Sequence, residues 1–94
     1  MTVSTDKDKA TDAQGAKKYF NSGKKCFKKG NVDGARLAFE RAYHFDSEDP
    51  YYMSYHGLCE ALRWHKIGYG LELCTRAIKR DFTNPEFYVN LARV

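Results

Sequence analysis

Several things are scarce in this chain of 94 residues, and each shortage excludes a class of protein. Only two prolines, Pro50 and Pro85, interrupt it. Long helices are therefore free to form over most of its length. Three cysteines, an odd number without a CxxC pair, fit a reducing compartment better than a disulfide framework. No apolar run approaches the roughly 18 residues of a membrane-spanning helix. The opening MTVSTDKDKATDAQG lacks the apolar core of a secretory signal. No membrane association and a cytoplasmic location are the expectations. Gly-rich phosphate loops, HExxH and GxSxG are also missing, so no catalytic residue and no enzyme activity are expected.

What is present is a repeat. Gly23 is echoed by Gly57, 34 positions on, and Gly34 to Ala42 is echoed more loosely by Tyr69 to Ala77, 35 positions on. Pro50-Tyr51-Tyr52-Met53-Ser54-Tyr55 is matched by Pro85-Glu86-Phe87-Tyr88-Val89-Asn90. A period of this length suits two short helices and a tight turn. Neither helix can bury its apolar face alone, so neighbouring pairs must stack. Gly23 and Gly57 then let a partner helix approach, with Ala35, Ala42, Gly70 and Ala77 small on the opposing side. Tyr19, Phe39, Met53 and Tyr88 are expected to fill the remaining space.

Helix signals divide the chain in agreement with that period. Residues 1–11 are polar and are expected to form a flexible tail, and 12–94 a single helical domain. Within it, 12–47 forms a first unit, 48–83 a second, and 84–94 the first helix of a third. Thr11 or Asp12 can cap a helix ending near Lys29 before Gly30-Asn31, with Tyr19, Gly23 and Cys26 inward. Asp33 is placed to cap a second helix to Phe45, with Leu37, Phe39, Ala42 and Tyr43 inward. Asp49-Pro50 combines a capping oxygen with proline at the first helical position and opens a third helix to Arg63 or Trp64. A turn through Gly68 leads to a fourth helix, Tyr69 to Arg80. Asn84-Pro85 repeats the cap and proline for a fifth.

On these residues the chain resembles the tetratricopeptide repeat family. Tyr19, Gly23, Gly30, Ala35, Phe39 and Ala42 carry the resemblance in the first unit, and Gly57, Gly70 and Ala77 in the second. Tyr88, Leu91 and Ala92 look like the opening of a third. Ser47 stands where the family has a proline, and Cys26 where an aromatic is common. The resemblance implies an all-α fold, a right-handed superhelical stack of antiparallel helix pairs with about five helices, and a protein-binding role. It also implies that a further helix would cover Tyr88, Leu91 and Ala92. The expectation is a fragment of a longer array, whose exposed face invites self-association or an unusual terminal packing.

The first helices of such a stack line its concave face. Lys17, Asn21, Lys24 and Lys28 follow a 4-3-4 spacing on one side of the first helix. One repeat later the stripe reads Tyr51, Tyr55, Leu58 and Leu62, and then Glu86, Asn90 and Arg93. A groove grading from cationic through aromatic-aliphatic to mixed polar suits a partner protein or peptide with acidic and apolar residues. The family's clamp for a C-terminal carboxylate is not reproduced, because Tyr55 and Glu86 occupy positions that need polar or basic groups. The alternative is nucleic acid on the basic first helix, where Lys17, Lys18, Lys24, Lys25, Lys28 and Lys29 interleave with Tyr19, Phe20 and Phe27. His56 sits beside Gly57 on the packing side and reads as a core residue. His65 falls in a turn and His44 near a helix end. His56 and Cys59 do not form a closed zinc pattern, and no metal or cofactor is expected.

Overall fold

The computed structural model describes the backbone from Thr5 and the side chains from Ala13, through Val94. Five helices account for its regular structure: α1 (Thr5–Lys28), α2 (Val32–Phe45), α3 (Pro50–Trp64), α4 (Ile67–Arg80) and α5 (Pro85–Arg93). There is no strand among the described residues. Among the described residues, no helix is long and apolar enough to cross a membrane.

The two proline-preceded starts behave as their residues dictate. Asp49 accepts from the Tyr51 and Tyr52 amides at 2.9 and 3.3 Å, and Asn84 accepts from the Glu86 amide at 2.9 Å. Other ends differ from the sequence expectation. Helix α1 opens at Thr5 rather than Thr11, since no proline or glycine interrupts the run before Gly15. The expected tail is therefore helical from Thr5, and Met1 to Ser4 lie outside the described residues. Asn31, not Asp33, caps α2, accepting from the Gly34 amide at 2.9 Å. Asp33 falls in the first turn, where its charge favours the positive helix end. Helix α4 starts at Ile67, so Gly68 lies inside it. The turn is made instead by His65 at φ 56°, with the Lys66 amide closing back onto the Glu60 carbonyl at 3.4 Å.

Small residues set how closely the helices approach. A Cβ on Gly57 would lie 2.9 Å from Leu73 Cβ and 3.1 Å from the Gly70 carbonyl, and one on Gly23 would lie 2.5 Å from the Phe39 ring. Ala16 clusters with Ala42 while Cys26 clusters with Ala35, so α1 and α2 run antiparallel. Met53 with Ala77 and Gly57 with Gly70 give α3 and α4 the same relation. Helices α3 and α5 run in one direction: Tyr51 meets Phe87, and Ser54 meets Asn90. Helix α3 contacts α2, α4 and α5, and Phe20 of α1 reaches its tyrosines. Every residue from Tyr52 to Ala61 is consequently buried.

Phe39, Met53, Leu73, Ala77 and Phe87 form the core, each at most 1% exposed. Tyr19 and Tyr88, expected to fill it, are 42% and 47% exposed. Leu37, expected inward on α2, is likewise exposed. Phe20 takes the place assigned to Tyr19, packing on Phe39 and Tyr52 with ring centroids 5.5 and 5.3 Å apart. Phe87 does the same for Tyr88. An aromatic pair in sequence offers two faces of a helix, about 100° apart, and only packing selects the inner one.

Candidate functional site

Two cavities open along the side where α1, α3 and α5 meet. The first, about 350 Å³, is lined by Lys24, Phe27, Lys28, Tyr55 and Arg93. The second, about 340 Å³, is lined by Lys17, Phe20, Asn21, Asp49, Tyr51 and Tyr52. Volumes of this size lie at the lower end of the range of ligand pockets. Between them Phe20 sits edge-on to Tyr51 and Tyr55, with centroids 5.9 and 5.4 Å away. The structure thus gathers seven of the residues singled out from sequence onto one surface: Lys17, Asn21, Lys24, Lys28, Tyr51, Tyr55 and Arg93.

Three others do not belong there. Leu58 is fully buried, and Asn90 is buried with its amide donating to Ser54 Oγ at 3.0 Å. Leu62 is exposed but lines neither cavity. The reason lies in the position of α3. A spacing that marks the groove on α1 marks the core on a helix with neighbours on several sides.

The tyrosines have a structural task as well as an exposed one. The Tyr55 hydroxyl donates to Glu86 Oε2 at 2.6 Å, and the Tyr51 hydroxyl accepts from the Asn84 amide at 2.8 Å. Both bonds tie α3 to α5. Burial, and then the Glu86 carboxylate, push the Tyr55 phenol well above its ordinary pKa, so it remains a donor. Lys24 Nζ lies 3.5 Å from Glu86 Oε2 and about 5.5 Å from the Tyr55 ring centroid. It is held against the groove floor by a carboxylate and a π-face together. Arg93 stands 5.8 Å from the Phe27 centroid. Charge is therefore not graded helix by helix. Lys24, Lys28 and Arg93 surround one cavity, whereas Lys17 faces Asp49 across the other.

Phe20, Phe27 and Asp49 complete the site beyond the stripe residues, and Glu86, read from the sequence as part of that stripe, joins it through Tyr55 and Lys24. The signal for the two phenylalanines was present, since Phe20 lies four positions before Lys24 and Phe27 three after it, which makes them its neighbours on one side of the helix. That for Asp49 was not, because its capping role accounts fully for its position.

Neither cysteine in the core offers chemistry at neutral pH. Burial pushes the Cys59 thiol up to about 12 and the Cys74 thiol up to about 11. Both stay protonated and non-nucleophilic. His56 is buried as expected, 4% exposed, while His44 is exposed. Among the described residues no three His, Cys, Asp or Glu side chains are arranged to hold a metal ion. The chain matches no family model, no curated protein and no solved structure.

Proposed function

We propose that the protein is an interaction module: a right-handed superhelical stack of tetratricopeptide-like helix pairs that takes a partner peptide or helix along the α1/α3/α5 groove and performs no chemistry itself. The observation that carries this is the pair of adjoining cavities, floored by Phe20, Phe27, Tyr51 and Tyr55 and edged by Lys17, Lys24, Lys28 and Arg93. Rigid aromatic rings supply contact area at little entropic cost. The cations select acidic segments, each exposed ion pair adding only about 0.2–1 kcal/mol. Apolar contact must carry most of the affinity. The parallel run of α3 and α5 and the antiparallel pairs α1/α2 and α3/α4 support the stacked arrangement.

The test is a pull-down from cell extract with wild type and a Lys28→Glu/Arg93→Glu variant, both residues being exposed. Proteins retained by wild type and lost with the variant support the groove; equal retention sinks it. Nucleic acid on the basic face of α1 is the alternative, favoured by the exposure of Lys17, Lys18, Lys25, Lys28 and Lys29. Partners lost from wild type after nuclease treatment would place it first. Self-association through α5 belongs to the same proposal, since Tyr88 and Val89 are each 47% exposed. A strict monomer by light scattering at high concentration would remove it.

A further inference from the structure

On the side of α3 away from the groove lies a cavity of about 420 Å³, lined by Glu40, Tyr43, His44, His56, Glu60, Lys66 and Tyr69. Helical geometry puts it there: Glu60 follows Tyr51 by nine positions and, at about 100° per residue, points to the opposite side. Neither the repeat nor the groove accounts for these polar side chains at a helix junction.

Their hydrogen bonds are incomplete. The His56 and Glu60 side chains are 5% and 9% exposed. His56 Nε2 reaches the Tyr69 hydroxyl at 3.2 Å, yet Nδ1 has no partner. Glu60 Oε1 lies 3.9 Å from Arg36 Nη1 and 4.0 Å from His56 Nε2, yet Oε2 has no partner either. A buried carboxylate oxygen without a donor is costly to maintain, and such a group in a folded protein calls for a missing partner.

Charge and shape define that partner. Arg36 is committed to Glu40, with Nη1 2.8 Å from Oε2. One guanidinium therefore serves two carboxylates, and Glu60 is the most deeply buried of the three groups. Burial holds His56 neutral, its pKa down at about 4, so it adds no positive charge at pH 7. Lys66 is exposed at the rim. Tyr43 stacks on His56 with centroids 4.7 Å apart, and Tyr69 meets His56 edge-on at 5.8 Å. Two phenol rings thus flank His56 and line the same cavity as the Glu60 carboxylate that needs a donor, a setting that favours a cation over an anion. The volume far exceeds that of a single water, about 30 Å³.

We propose that this cavity binds a protonated nitrogen, an alkylammonium or guanidinium group, with Glu60 Oε2 as acceptor and the Tyr43 and Tyr69 rings as walls. The group is carried by a small molecule or by a lysine or arginine side chain of a partner. The site is independent of the groove.

Butylguanidinium and butylammonium, titrated into the ¹⁵N-labelled full chain and followed by NMR, are the probes, with neutral butanol as control. Saturable shifts confined to the amides around Tyr43, His56, Glu60 and Tyr69 are expected. Glu60→Gln keeps the shape and removes the charge, and should weaken binding about tenfold or more. Lys66→Ala removes a repelling cation and should tighten binding about two- to fivefold. It keeps the test open if Glu60→Gln fails to fold. Lys28→Glu in the groove should leave these shifts unchanged. A blocked tripeptide with central arginine binding tighter than butylguanidinium would identify a partner side chain as the source; the reverse would identify a small molecule. Absence of saturable shifts, equal binding of butanol, or equal affinity in folded Glu60→Gln would overturn the proposal, as would Lys66→Ala weakening binding.

Discussion

On the groove side of α3, Tyr55 donates to Glu86, Glu86 also meets Lys24, and Tyr51 accepts from Asn84. On the other side, His56 and Glu60 are more deeply enclosed, yet each leaves one side-chain atom without a partner. The same helix supports both surfaces, with α1 and α5 against one and α2 and α4 against the other. The difference teaches what each polar group is for. A satisfied network such as Tyr55–Glu86–Lys24 fixes the position of α5 on α3, because each bond needs both helices in place. An unsatisfied one contributes little to holding helices together, and its open acceptor is the feature that a group outside the chain would complete.

The comparison can be broken most directly at Tyr55, which is 9% exposed and belongs to a core cluster with Ala35, Phe39 and Cys59. Tyr55→Ala should cost about 3–5 kcal/mol of unfolding free energy in urea, by analogy with aromatic truncations in cores. It is therefore a poor probe of binding alone.

The second effect is a pH dependence specific to the other side. Burial lowers the His56 pKa from 6.5 to about 4, against a smaller opposing influence of Glu40; His44, Arg36 and Lys66 lower it further. The folded state therefore binds fewer protons than the unfolded state between those values. Stability is fully present above about pH 6.5 and is lost as pH falls toward about 4, by roughly 3 kcal/mol over the whole window. Urea midpoints measured across that range should drop in wild type and flatten in His56→Phe. An unchanged slope would separate the depressed titration from His56.

Tyr55→Phe sharpens the comparison by deleting one hydroxyl and no ring. It should cost about 1 kcal/mol, with the loss visible as weaker amide-exchange protection in α5 before α2. Protection lost evenly over all helices would show that the bond does not tie α5 specifically. The smallest effect is expected from Lys24→Met. The Lys24 and Glu86 side chains are 34% and 42% exposed, so solvent screens the pair and it contributes about 0.2–1 kcal/mol, falling with added salt.

Much of the fold was legible because it rests on local chemistry. Asp49-Pro50 and Asn84-Pro85 cap and start helices through their own side chains, whatever packs on them. Gly57 and Gly70 marked a close helix crossing because no other residue avoids the clash. Asn31 against Asp33 was not legible, since either side chain can cap and only the backbone path chooses between them. The groove was legible on α1, whose outer side stays free, and misleading on α3 and α5, where Leu58 and Asn90 are covered by neighbours. The His56–Glu60 cavity left no trace in the periodicity, because its residues come from α2, α3, α4 and the turn between the last two.

The sequence by itself determined that this chain is helical, where the proline-marked helices begin, and which small residues allow helices to touch. These properties depend on backbone propensity and on sterics within a few residues. Only the tertiary structure decided which aromatic of each adjacent pair turns inward, that the tyrosines clamp α5, and that a carboxylate and an imidazole lie buried with atoms unpartnered. Those outcomes depend on the surroundings each side chain meets across helices, and burial and hydrogen-bond satisfaction belong to such surroundings rather than to the residue.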